Sequence, residues 1–273
     1  MFEMRRTTSR HVVLLNVLEV TYHTAVRKVR KGHRNAVVAI GMSVFQTMLF
    51  VAAFYVMLSI LGGRQMGIRG DFVLYLLSGV FLYLVHVQAL QKVMASETRT
   101  SPLMQHAPMN TLVTVLSSAV SVLYVKSISL LVILFLLHAL SAPLAIHDWH
   151  GALMMYLLAW GTGAAIGAML LAVRPWAPDV IAIVQTIYVR ANMIASGKLF
   201  VANVLPVAIL PLFDWNPLFH VIDQMRGFVF VNYVPVHTTW QLPLVTLGGI
   251  VLVGMMLDFQ TRRHASMSWD APR

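Results

Sequence analysis

From Val37 to Leu61 the chain runs twenty-five residues without a charged side chain. A helix of that composition exposes apolar surface all round, so water is the wrong solvent for it. About 20 such residues cross the hydrocarbon core of a bilayer. The rest of the chain agrees. Of its 273 residues 58% are hydrophobic and only 11% charged, whereas soluble domains carry about 25% charged residues. The fold expected is all-α and integral to the membrane.

Five further spans are expected, at 72–90, about 123–144, 151–173, 180 to about 201, and 242–259. The third is cut from a longer apolar stretch, Leu112 to Ile146, so that Lys126 falls near its inner end and can snorkel to the headgroups. The fourth contains the small-xxx-small pair Gly163/Gly167, which lets a neighbouring helix approach closely. The fifth is less apolar and holds Arg190 and Lys198. Residues 37–273 thus read as one six-span domain.

Residues 1–36 hold no span but show helical periodicity over 12–31. Leu14, Leu18, Tyr22, Val26 and Val29 share one face; Asn16, Glu19, His23, Arg27 and Arg30 share the other. This predicts a basic amphipathic helix lying on the cytoplasmic surface. Eight Lys and Arg precede residue 37: Arg5, Arg6, Arg10, Arg27, Lys28, Arg30, Lys31 and Arg34. With both termini inside, fourteen basic residues lie inside and four outside, namely Arg64, Arg69, Lys198 and Arg226. That bias sets the expected orientation. The net charge of +10 is therefore read as topology rather than as a nucleic-acid surface, because no basic face with interleaved aromatics recurs.

Between 200 and 241 the chain is apolar but broken by Pro206, Pro211, Pro217 and Pro235, and by Asp214, Asp223 and Arg226. Proline removes donors and interrupts helices, so short re-entrant helices sheltered by protein are expected before the last span. Asn216-Pro217 is an N-cap and first-turn pair, starting a helix at Leu218 that carries His220, Asp223 and Arg226 along one face.

Few motifs carry chemistry. The sequence has no cysteine, which excludes disulfides and thiolate sites. It has no P-loop: Gly62 to Gly67 has the spacing, but Ile68-Arg69 follows where Lys-Ser/Thr is needed. His147 and His150 make only a two-histidine loop, with no HExxH helix elsewhere. No metal site, GxSxG elbow or other catalytic context stands out. His86 and His138 fit hydrogen-bonded packing or a proton relay. Arg190, a charge within a span, fits a contact to an anionic substrate, or snorkelling, or a pair with a polar neighbour. Aromatics such as Phe45, Phe54, Tyr55, Tyr75, Phe81, Tyr83, Tyr124, Tyr188 and Trp215 fit sugar stacking or ordinary packing.

The layout carries a resemblance. A basic amphipathic helix precedes six spans, and a polar inner loop separates spans two and three. Ser196-Gly197 ends span five, Leu205-Pro206 follows, and then comes Asp214-Trp215-Asn216-Pro217-Leu218-Phe219-His220-Val221-Ile222-Asp223, with Arg226 and Tyr233 behind it. This resembles the permease subunit of type-2 ABC exporters, in the branch that exports capsular and related cell-surface polysaccharides. The likeness covers nearly the whole chain in layout, with its residue-level support between about 190 and 233. Two departures stand out. The first span lacks the family's entering Trp and acidic-Pro pair, reading Val37 to Ser43 instead, and Lys198 replaces an apolar residue after Ser-Gly.

The resemblance implies a homodimer in the bacterial inner membrane, bound to two cytoplasmic ATPases that hold ATP and Mg. It implies a polysaccharide substrate, lipid-linked, with periplasmic and outer-membrane export components as further partners. The chain itself would hold no cofactor and catalyse no reaction. Arg27, Lys28, Arg30, Lys31, Glu97 and Arg99 would couple to the ATPases. Asn216, Pro217, His220, Asp223, Arg226 and Tyr233 would form the outer gate. Arg190, Tyr188, Lys198, Tyr55 and Phe54 are expected along the substrate path. Competing functions are an exporter of a lipid or drug, an ion-coupled carrier (expected to carry paired acids deep in its spans), and a membrane glycan or lipid transferase.

Overall fold

The computed structural model describes residues 10–32, 36–60, 68, 71–96, 111–140 and 146–269; residues 10–16, 30–32, 36 and 262–269 are described as backbone alone. Among the described residues the chain is all-α, with no strand. Its helices are α1 (Arg10–Gly32), α2 (Ala36–Ile60), α3 (Phe72–Met94), α4 (Thr111–Leu140), α5 (Trp149–Val173), α6 (Pro178–Ala195), α7 (Pro211–Asp214), α8 (Pro217–Val229) and α9 (Gln241–Trp269), with a 3-10 turn at Ala202–Val204. Five of them, α2 to α5 and α9, are long and apolar enough to cross a membrane. The protein is a multi-pass helical membrane protein.

Helix α3 is the hub. It runs parallel to α5, and the two meet backbone to backbone where α5 has no side chain. A Cβ on Gly163 would collide with the carbonyl of His86, and one on Gly167 would lie 2.5 Å from the carbonyl of Leu90. His86, fully buried, seals the same seam. Its Nδ1 lies 3.1 Å from Ala159 O and 3.2 Å from Thr162 Oγ1, and its Nε2 lies 2.9 Å from the Tyr188 hydroxyl on α6. Helix α9 continues the layer along α5, with Leu247 at Gly161 and Met169 at Gly254.

Hydrogen bonds define one end of the bundle. Lys28 of α1 donates to Thr114 O and Ser118 at the start of α4, and Ser96, just past α3, reaches the same Ser118. Arg174, after α5, donates to Met94 O. Trp176, before α6, donates to Thr261 of α9. The chain therefore returns to this end after α3 and α5, and again along α9. At the other end Asp71 caps α3 and Asp148 caps α5, each accepting from a first-turn N–H.

Two expected elements are corrected. The third span begins at Thr111, not near 123, and ends at Leu140. Its thirty residues extend about 45 Å. Lys126 sits mid-helix, fully buried beneath the Phe81 ring, and does not snorkel. Read as a boundary, it is instead an interior residue. The expected fifth span, 180 to about 201, is the helix α6, which stops at Ala195 and is not among the five apolar helices. Gly197, at φ +68°, turns the chain there. Helix α1 forms as expected; among its described side chains Thr21 and Ala25 are buried and Val26 and Val29 half-buried, while Leu18 and Tyr22 of the apolar stripe stay more than 60% exposed.

Candidate functional site: the re-entrant segment and its buried cations

Residues 196–240 fold back against the end of the bundle where α3 and α5 begin. Local chemistry explains each turn. Pro211 and Pro217 occupy the first turns of α7 and α8, where the missing N–H costs nothing. Asn216 caps α8 by accepting from Leu218 N at 3.0 Å. Its amide also donates to Asn192 Oδ1 and Ala195 O, at 2.9 and 3.0 Å, which ties the start of α8 to the end of α6.

Helix α8 is buried almost throughout, and its polar residues are ties. His220 Nδ1 accepts from Thr239 N at 3.0 Å, so its Nε2 carries the proton and donates to Asp214, 2.7 Å from the carbonyl and 3.0 Å from a carboxylate oxygen. Asp223 accepts from Ala202 N (3.0 Å), the Tyr233 hydroxyl (2.6 Å) and Thr238 Oγ1 (2.7 Å). Burial and the adjacent Asp223 carboxylate push the Tyr233 phenol upward, so Tyr233 remains a donor. One carboxylate thus pins three points of the returning chain.

Arg226 is the second hub. It is fully buried and donates to the carbonyls of Gly197 (2.9 Å), Lys198 (2.6 Å) and Phe200. Its guanidinium lies over the Tyr75 ring, 4.2 Å from the centroid. Gly79 of α3 makes the room. A Cβ there would lie 2.6 Å from Lys198 O and 2.8 Å from Arg226 Nη2.

Lys198 is different. Its side chain is 1% exposed, and its ammonium has no hydrogen-bond partner. It sits 3.8 Å from the Tyr83 centroid and 5.0 Å from that of Phe54. A desolvated cation–π contact contributes about 2 kcal/mol, against an effective burial penalty of several kcal/mol per ion. Two such contacts are of the same order as that penalty, but they leave the N–H donors without an acceptor.

The structure brings Phe54 and Lys198 together, and sets Tyr55 one residue away against Phe72. Tyr188 faces inward to His86, whereas Arg190, two residues on, lies on the exposed face of α6. Arg190 thus does not reach the interior of the bundle. Asn216, Pro217, His220, Asp223, Arg226 and Tyr233 all join the re-entrant cluster. Of the coupling residues, Arg27 is exposed and Lys28 is turned onto α4. Arg30 and Lys31 lie in the last turn of α1, described as backbone alone, and Glu97 and Arg99 lie outside the described residues.

The sequence alone did not single out Gly79, Asn192 or Thr238 as parts of the cluster, nor Tyr75 and Tyr83 as cation-facing. The available signal was the spacing Tyr75-Gly79-Tyr83, which puts two rings and a gap on one helical face.

The chain matches no family model and no curated protein. What this arrangement does must therefore be argued from the arrangement. Among the described residues no group of three or more His, Asp or Glu could hold a metal ion. Asp223, the one buried carboxylate described, has both oxygens engaged. The cluster is built to hold a folded-back chain in place.

Proposed function

We propose that this protein is the membrane permease of an ATP-driven exporter that moves a capsular or related cell-surface polysaccharide, lipid-linked, across a bacterial inner membrane. The observation that carries the reading is the re-entrant segment: between α6 and α9 the chain does not simply turn but sends α7 and α8 back against the bundle end, held by Asp223 and Arg226. A device of that kind suits an exit that opens and closes.

Helix α6 supplies the sixth crossing in this account. Its eighteen residues extend about 27 Å, and the Tyr188–His86 and Tyr83–Val189 bonds hold it antiparallel to α3. Both termini then lie on the cytoplasmic face. Only Ile181 and Asn192 of α6 are buried. Its exposed face carries Arg190 beside Ile183, Ile187 and Ile194. A charge is costly against lipid, so this face meets a second copy of the chain and borders the path of the glycan. Helix α1, joined to α4 through Lys28, passes motion from two cytoplasmic ATPases into the bundle. Those partners bind the ATP and Mg, since this sequence has no phosphate-binding loop.

The test is removal and recovery. Deleting the chain should abolish surface polysaccharide and leave polymer inside the cell, and the tagged chain should co-purify with a P-loop ATPase from native membranes. Normal surface polysaccharide in the deletion strain contradicts the reading.

A further inference from the structure

Among the described residues two lysines are buried without a hydrogen-bond partner, Lys126 and Lys198. Their settings differ. Lys126 belongs to the long helix α4 and points at one ring, Phe81, 5.8 Å away. Lys198 belongs to the re-entrant turn, and its ammonium lies between the rings of Tyr83 and Phe54. Its own carbonyl accepts from Arg226, whose Nε is also buried without a partner. Among the described residues no carboxylate forms an ion pair with either side chain, and Asp223 accepts from Ala202, Tyr233 and Thr238 instead. Lys198 Nζ and Arg226 Nε thus each keep an unspent N–H donor in a buried setting. Buried donors left unsatisfied are uncommon in folded proteins and call for a partner such as water or an anion.

We propose that Lys198 is a binding site for a phosphate oxyanion, specifically the headgroup phosphate of a lipid. An ammonium is a compact point charge with three donors, suited to phosphate oxygens. The rings of Tyr83 and Phe54 occupy its π-facing sides and leave N–H groups to an anion. Access favours a lipid over a free ion. Phe54 belongs to α2, whose outer face (Phe45, Met48, Leu49 and Val56) is exposed and apolar. A headgroup reaches Lys198 sideways, by displacing the Phe54 ring, while its tail stays along α2. Arg226 keeps its carbonyl bonds and adds field rather than contact.

The site does not depend on export, since a resident lipid would bind the same way. It is tested on the purified full chain in maltoside micelles, which contain no phosphate, by calorimetric titration with farnesyl phosphate, farnesol and inorganic phosphate. The wild type should bind farnesyl phosphate saturably and farnesol far more weakly. Lys198→Met should weaken farnesyl phosphate by about tenfold or more, the equivalent of one charge-assisted hydrogen bond. It removes a buried charge and should fold at least as well. Lys198→Arg should stay within a few fold, Phe54→Ala should bind more tightly, and Lys126→Met should bind as the wild type does. Equal binding by Lys198→Met and wild type, or equal binding of farnesol and farnesyl phosphate, overturns the site. Inorganic phosphate binding as tightly as farnesyl phosphate, and losing affinity in Lys198→Met, overturns the lipid source. A Lys198→Met chain that binds normally while the deletion strain loses surface polysaccharide refutes this site and leaves the export reading standing.

Discussion

Helices α3 and α9 are both apolar enough to cross a membrane, yet 89% of the most apolar window of α3 is buried inside the protein against 11% for α9. Hydropathy does not separate them. What separates them is what their small and polar residues meet. In α3, Gly79 fits beneath Lys198 and Arg226, and His86 bonds to two neighbouring helices. In α9, Gly248 and Gly249 meet nothing within 4 Å. One helix is solvated by protein and the other by lipid or by a partner chain. In such a protein apolarity places a helix in the bilayer, and small-residue and polar complementarity decide its neighbours.

That contrast can be broken by substitution, read as the melting midpoint of the purified chain in micelles. The largest effect is expected at Arg226→Met. It strands the carbonyls of Gly197, Lys198 and Phe200, three buried bonds to a charged donor, at a cost of about 3–5 kcal/mol. A midpoint within a degree of wild type contradicts the role given to Arg226. Next comes Gly163→Val, which drives a side chain into the His86 carbonyl and should cost about 1–3 kcal/mol or more through overpacking. Asn216→Ala removes the cap of α8 and its tie to Asn192, for about 1 kcal/mol from the cap alone. The smallest change is expected at Gly248→Ala. With open space around it, alanine should be neutral or stabilise by less than about 1 kcal/mol. A drop there as large as at Gly163 erases the distinction between the two helices.

The parts of this molecule legible in its sequence follow from single-residue energetics. Four expected spans coincide closely with α2, α3, α5 and the apolar part of α9, because charge-free stretches of that length have few alternatives. Asn216-Pro217 announced α8 because the cap and the first turn are local chemistry. The misplaced residues all turn on partners distant in sequence. Lys126 looked like a boundary because a charge should reach water, and nothing local reveals that Phe81 covers it. Lys198 was expected within a helix, but Gly197 and the Arg226 bonds pull it into a turn. Arg190 was expected along the substrate path, and only the distant Tyr188–His86 bond shows which way α6 turns it, to the exposed face. Leu18 and Tyr22 were legible as part of an apolar stripe, and both are exposed on α1.

The account rests on α6 completing a sixth crossing. Since the sequence has no native cysteine, single cysteines can be placed without background. Glu19→Cys in α1, Ala271→Cys near the C-terminus and Val234→Cys in the re-entrant segment should be treated with a membrane-impermeant maleimide on spheroplasts and, separately, on inverted vesicles. Six crossings predict that positions 19 and 271 label only in inverted vesicles and position 234 only on spheroplasts. Labelling of 19 and 271 from opposite faces means five crossings, and contradicts the account.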